Sequence, residues 1–214
     1  MSQRKFSWDL FNRVPVIGIV RNISFEDVIQ ILPVYYEAGL TTIEITMNTG
    51  EAEEMISWAR DEFKTKLNVG AGTVCTKKDL NNAIEAGSQF IVTPIVRRKI
   101  IRSCVKQEIP VFPGAFTPTE IYKAWLWGAS MVKVFPASTL GPNYIKDGKA
   151  PLNDVKLVPT GGISLENMVS FKKAGADAFG VGSPLMNKDL IRNKDWDGLK
   201  EHFKKFADLV TVAP

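Results

Sequence analysis

Histidine is nearly missing from this chain: His202 is the only one among 214 residues. Cysteine is scarce too, with Cys75 and Cys104 alone. Two cysteines without ligand spacing, and a single histidine, make a zinc site or a disulfide framework an unpromising reading. Long apolar runs are absent. No window reaches the roughly 20 residues of a membrane span, and the opening MSQRKFSWDLFNRVP has no apolar core of the kind a signal peptide carries. A reduced, cytoplasmic protein with no membrane partner is expected. Charge of one sign is also lacking. Lys and Arg total 27 against 23 Asp and Glu, a net charge of +4. Basic clusters such as Arg97-Arg98-Lys99 and Lys204-Lys205 fall on predicted helices and read as solvated faces. The mild positive balance suits a small anionic substrate, and no signature of nucleic-acid binding accompanies it.

What is present is a regular alternation. β-rich runs occupy 14–21, 41–48, 67–74, 89–94, 110–116, 131–136, 155–162 and 177–183. Amphipathic stretches with helical spacing lie between them. Several of these stretches end at a glycine suited to stopping a helix, namely Gly39, Gly87, Gly128 and Gly175. Several begin after a capping residue: Ser24, Thr76, Thr117 or Ser164. Alternating strands and helices predict a parallel sheet with helical crossovers. Eight of them close a (β/α)8 TIM barrel. An open doubly wound sheet is the alternative, but it favours a glycine-rich dinucleotide loop after the first strand, where GIVRNIS offers none. Residues 5–13 read as a short extra helix across the barrel's N-terminal end. No linker divides the chain, so 1–214 is expected to form one domain.

Ionisable groups within the strands are few. Arg21 ends the first, Glu44 lies in the second and Lys133 in the sixth. All three sit toward the C-terminal strand ends, where barrel active sites assemble, whereas Lys156 and Asp177 lie at strand starts. In TIEIT, Thr42, Glu44 and Thr46 share one face, and in VKV, Lys133 opposes Val132 and Val134. With the branched aliphatics under the helices, Glu44 and Lys133 point into the barrel. A buried ammonium either pairs with an acid or gives up its proton. The first outcome is a structural Lys133–Glu44 ion pair. The second is an amine nucleophile toward ketones.

PTGGIS (159–164) and GVGSPL (180–185) follow the seventh and eighth strands, whose loops often hold phosphate in barrels. Gly161, Gly162, Gly182 and Ser183 are therefore candidate phosphate ligands through backbone N–H groups and the serine hydroxyl. GAGT (70–73) places Thr73 at the mouth, as a ligand for a carboxylate or carbonyl or as a threonine bonded to backbone. Pro94 and Phe116 line the same rim. His202, in the C-terminal helical region, reads as a surface or packing residue.

Taken together, IEITMNT, VGAGTV, FIVTP, VFPGAFTPTE, VKVFPAS, PTGGIS and GVGS resemble the class I 2-keto-3-deoxy-6-phosphogluconate (KDPG) aldolases. That family includes the related 4-hydroxy-2-oxoglutarate and 2-keto-3-deoxy-6-phosphogalactonate enzymes. The resemblance runs from about residue 14 to 186 in order and spacing. It implies a (β/α)8 barrel, commonly a trimer, that needs no metal or other cofactor. The implied reaction cleaves a phosphorylated keto-deoxy sugar acid to pyruvate and glyceraldehyde 3-phosphate. It also implies Lys133 as the Schiff-base lysine, Glu44 as general acid/base, Thr73 near the substrate carboxylate, Thr160 as a substrate contact, and Gly161, Gly162 and Ser183 in the phosphate pocket. At Asn48 the chain departs from the gluconate branch, which usually carries arginine there. Arg21 and STLGPNYIK (138–146) are similar to the galactonate branch instead, so the chain mixes the two patterns, and the question left open is whether Arg21 replaces the arginine missing at Asn48. Two other classes share parts of the pattern. A phosphosugar isomerase or epimerase barrel needs the phosphate loops and a base but no nucleophilic lysine. A non-catalytic keto-acid-binding barrel needs no catalytic pair.

Overall fold

A computed structural model describes residues 5–211. After a short first helix, α1 (Trp8–Arg13), strands and helices alternate: β1 (Val16–Val20), α2 (Phe25–Glu37), β2 (Thr42–Thr46), α3 (Ala52–Phe63), β3 (Asn68–Gly72), α4 (Lys77–Glu85), β4 (Ile91–Thr93), α5 (Arg98–Lys106), β5 (Val111–Ala115), α6 (Pro118–Leu126), β6 (Val132–Val134), α7 (Ala137–Lys149), β7 (Leu157–Pro159), α8 (Met168–Lys173) and β8 (Phe179–Val181). Helices α9 (Lys188–Arg192) and α10 (Trp196–Val210) follow. All strand pairs are parallel, in the order β7-β6-β5-β4-β3-β2-β1-β8. A parallel bridge from Thr160 to Gly180 joins the two ends. The architecture is the expected (β/α)8 barrel.

Two layers of apolar side chains follow from the strand period of two. Val16, Ile43, Ile45, Val69, Ile91, Val132 and Val134 face the helices in the larger core. Ile17, Phe90, Val92, Phe112, Met131, Val158 and Ala178 fill the barrel's interior, joined by Phe6 and Phe11 from the N-terminal segment. That segment plugs the floor. The Phe6 ring lies 5.4 Å from Phe90, Phe90 lies 5.7 Å from Phe112, and Phe11 lies 6.1 Å from Phe112. Polar anchors hold the plug in register. Ser7 N–H donates to Asn68 Oδ1 at 2.8 Å, Asn68 Nδ2 returns a bond to the Ser7 carbonyl at 2.9 Å, and the Thr41 hydroxyl donates to the Leu10 carbonyl at 2.8 Å.

Local signals explain most element ends. Ser24, Thr76 and Thr117 cap α2, α4 and α6, the last two with reciprocal capping boxes through Asp79 and Glu120. The four expected stop glycines have φ between 91° and 99°. Ser164 does not cap α8. That helix starts four residues later, after Asn167, whose Oδ1 accepts from Ser164 N–H while its Nδ2 donates to the Gly162 carbonyl. The strand runs also shrink: 155–162 contains a three-residue β7, because Gly161 and Gly162 turn away with φ of 89° and 76°. α7 bends at Gly141-Pro142, where Gly141 has φ 72° and ψ 172°.

Candidate active site

Strands β2 and β6 are four apart in the ring of eight, so they face one another across the barrel. Glu44, flanked by Ile19 and Gly70, and Lys133, flanked by Gly114 and Val158, point inward from these opposite walls. Both are nearly fully enclosed, at 1% and 4% exposure. Small residues make the space. A Cβ at Gly72 would lie 2.6 Å from Glu44 Oε1, and one at Gly114 would lie 2.6 Å from the Pro94 carbonyl oxygen. Even alanine at Gly72 would displace the carboxylate.

The ion pairs among the described residues include neither Lys133 nor Glu44. Glu44 Oε1 is buried without a hydrogen-bond partner. Burial pushes the Glu44 carboxyl above the usual carboxylate range, opposed by the charges of Lys133 and Arg21. Burial pulls the Lys133 amine below the usual lysine range. Glu44 opposes that shift, whereas the nearby Arg21 charge adds to it. Both shifts favour the uncharged forms, as expected where desolvation outweighs a partner too distant for direct contact. The closed structural ion pair, one of the two outcomes open from the strand pattern, is not formed. The Lys133 amine lies 5.1 Å from the centre of the Phe135 ring.

A cavity of about 770 Å³ opens above Lys133. It brings together seven of the residues singled out from the sequence: Arg21, Lys133, Thr160, Gly161, Gly162, Gly182 and Ser183. Glu44 does not line it. It borders a much smaller chamber deeper in the barrel, shared with Lys133 and Thr160. Thr160 is held by its fold neighbours: its hydroxyl donates to the Val158 carbonyl at 3.2 Å, and a Cβ at Gly180 would collide with it. The Gly161-Gly162 turn is clamped by Ser138, whose N–H donates to the Gly161 carbonyl at 2.9 Å, leaving 2.5 Å between Ser138 Cβ and a Cβ placed on Gly162.

Asn48, Thr73, Pro94 and Phe116 do not line this cavity. Asn48 is exposed in the turn after β2. Thr73 follows β3 with φ 57°, a costly left-handed conformation for a β-branched residue. Pro94 is half-buried, and Phe116 is 42% exposed, its carbonyl accepting from Tyr144. Next to Arg21, which is exposed, Asn22 N–H donates to Thr49 Oγ1 at 3.1 Å, and the Thr49 and Thr46 hydroxyls are 2.9 Å apart. His202 packs behind the β8 loop, its Nε2 2.8 Å from the Pro184 carbonyl and its ring 5.3 Å from Phe206.

Phe135 was missed in the sequence, although it stands two residues after Lys133 and so on the same face. Cys75, whose thiol burial and Asp79 push upward, also lies close enough for Lys133 to feel its charge. No sequence signal placed it there. The lining residues Asp27, Lys188 and Arg192 come from helices and were equally invisible.

The family model for KDPG and KHG aldolase matches residues 9–202. The chain belongs to the KDPG and KHG aldolase family. Among its relatives, the 2-dehydro-3-deoxy-6-phosphogalactonate aldolase of Escherichia coli K12 is 34% identical over 81% of this chain and 85% of that protein. The 2-dehydro-3-deoxy-phosphogluconate aldolase of Treponema pallidum is 35% identical over 77% and 78%. The structure of the Legionella pneumophila KDPG aldolase, with pyruvate captured as a covalent carbinolamine, superposes with a TM-score of 0.83. It shares 26% identity, over 92% of this chain and 96% of that one. The motif resemblance and the barrel assignment are borne out. Aldolases of this family are carbon–carbon lyases, and both substrate branches occur among the relatives. Among the described residues, no helix is long and apolar enough to cross a membrane.

Proposed function

We propose that the cavity is the active site of a Schiff-base aldolase that cleaves a 2-keto-3-deoxy-6-phospho sugar acid to pyruvate and glyceraldehyde 3-phosphate. One observation carries this reading: an amine 4% exposed, with no ion pair, kept below the usual lysine range by burial, and opening onto a cavity walled by the two glycine loops. A neutral amine is what attack on a ketone requires. The carbinolamine in the Legionella neighbour supports the same chemistry.

Lys133 attacks C2 of the ketone, and proton transfer from nitrogen to oxygen gives a carbinolamine. Glu44, shifted toward its uncharged form by burial, gives its proton to the departing hydroxyl, so that loss of water leaves a protonated imine and a Glu44 carboxylate. Glu44 as carboxylate takes the C4 hydroxyl proton, the C3–C4 bond breaks, and its electron pair flows into the imine to give an enamine and the aldehyde. Protonation of C3 and addition of water to the resulting imine release pyruvate and regenerate the amine. The inner chamber, about 10 Å³, between Glu44, Lys133 and Thr160 suits one bridging water, which explains how an acid off the main cavity serves it. Gly161, Gly162, Gly182 and Ser183 would hold the phosphate and Thr160 would contact the substrate. Thr73, Pro94 and Phe116 lie outside the cavity's lining, so Arg21 rather than Thr73 is the carboxylate ligand in this reading.

Arg21 lines the cavity and Asn48 does not, which favours the galactonate-type arrangement with Arg21 on the substrate carboxylate. The decisive experiment treats the protein with pyruvate and borohydride and maps the adduct. Modification at Lys133 is expected, and an adduct elsewhere, or none, refutes the assignment. A coupled pyruvate-release assay on the two epimeric substrates, with Arg21→Ala raising KM, checks the carboxylate assignment. Unchanged kinetics remove Arg21 from the site.

We further infer that residues 1–214 act as one catalytic domain and assemble as a homotrimer. Ile95, Phe116, Tyr122 and Leu126, at 46%, 42%, 47% and 58% exposure, leave apolar surface in the β4 and β5 loops and on α6 for neighbouring copies. Sedimentation at micromolar concentration tests the assembly. The free thiols of Cys75 and Cys104 suit a reducing compartment such as the cytoplasm.

A further inference from the structure

The loops that face a phosphate carry neutral donors. Gly161, Gly162, Gly182 and Ser183 offer N–H groups and a hydroxyl, which orient an anion without neutralising it. Beyond Ser183, on the same wall, the chain forms α9. Leu185 and Met186 N–H groups both donate to the Gly182 carbonyl at 2.9 Å, tying α9 to the loop. Asn187 Oδ1 then accepts from Asp189 and Leu190 at 3.0 and 3.2 Å, fixing the first turn. The short helix sorts its charges. Lys188 and Arg192 line the cavity, whereas Asp189 does not and instead holds Arg192 at 2.8 Å. Lys188 belongs to none of the ion pairs among the described residues. The acid lining the cavity is Asp27, which already accepts from the Ser24 hydroxyl at 2.7 Å.

We propose that Lys188 is the phosphate-specificity residue of this cavity: its ammonium supplies the charge the glycine loops lack and selects phosphorylated keto acids over unphosphorylated ones. The inference rests on the aldolase reading above and names a determinant of its substrate class. A lysine suits the role as a compact charge on a flexible stem that follows the phosphate without demanding a fixed fork geometry. Its position at the solvent edge keeps the effect moderate, since exposed charge pairs are screened.

The test compares wild type, Lys188→Ala and Lys188→Arg with a 2-keto-3-deoxy-6-phospho sugar acid and with 4-hydroxy-2-oxoglutarate. Lys188→Ala is expected to raise KM for the phosphorylated substrate about fivefold with kcat unchanged, to leave the unphosphorylated substrate unaffected, and to be rescued by arginine. Calorimetry with inorganic phosphate should show binding weakened about as much, a readout independent of any turnover. Equal losses on both substrates, or no loss of phosphate binding, overturn the proposal. Pyruvate trapping at Lys133 should be the same in Lys188→Ala as in wild type. Failure of trapping in wild type refutes the aldolase reading, and the phosphate calorimetry still decides the role of Lys188.

Discussion

The two ends of this barrel solve opposite problems. At the floor, Phe6 and Phe11 meet Phe90 and Phe112, and the polar groups there are matched: Asn68 bonds Ser7 twice and Thr42 once. Higher in the barrel, with comparable burial, stand a carboxyl with an unpartnered oxygen and an amine without an ion pair. The floor is arranged for stability. The upper layer holds two titratable groups that burial shifts toward their uncharged forms, a destabilising arrangement that the floor and the outer core offset.

Substitutions at each end break this comparison in different currencies. Lys133→Met should cost at least about 10⁴-fold in kcat and abolish the pyruvate adduct, while denaturant melts show a protein as stable or more so by about 1–4 kcal/mol. Loss of stability in that variant would mean the lysine is structural after all. At the floor, Phe11→Ala should destabilise by about 3–5 kcal/mol, with the adduct at Lys133 still forming in the folded fraction. If trapping fails there in protein that remains folded, the two ends are coupled rather than separate. Glu44→Gln should lower kcat by about 10²–10⁴-fold yet leave an adduct detectable by mass spectrometry, because the amine itself remains.

Smaller and sharper is the pH dependence. With the Lys133 pKa lowered, the rate of adduct formation should rise with pH and level off before the ordinary lysine range. Between the lowered value and that range the unfolded chain binds more protons than the folded one, so stability rises with pH. For Glu44, raised by burial, the folded state holds the extra proton just above the ordinary carboxylate range, so stability falls as pH rises there. Melts across pH should lose the first slope in Lys133→Met and the second in Glu44→Gln.

Much of the fold was readable in advance because its signals are local. Strand runs, capping boxes at Thr76 and Thr117 and stop glycines act within a few residues. Ser164 differs: α8 starts only after Asn167, which bonds back to the Ser164 N–H and to the Gly162 carbonyl. Of the candidate site, the residues on strands 1 and 6–8 and their loops converge in the cavity. Asn48, Thr73, Pro94 and Phe116, from the loops of strands 2–5, do not.

What the sequence determined by itself was the alternation of eight strands with helices and the inward direction of Glu44 and Lys133. A pleat sends every second side chain to the same face whatever surrounds it. Only the tertiary structure decided that these two groups stop short of an ion pair, that Phe135 walls the amine, and that Lys188 from α9 lines the same cavity as the two glycine loops. Those facts depend on the radius at which the barrel closes and on how loops distant in sequence fold over its mouth, and no short stretch of residues encodes either.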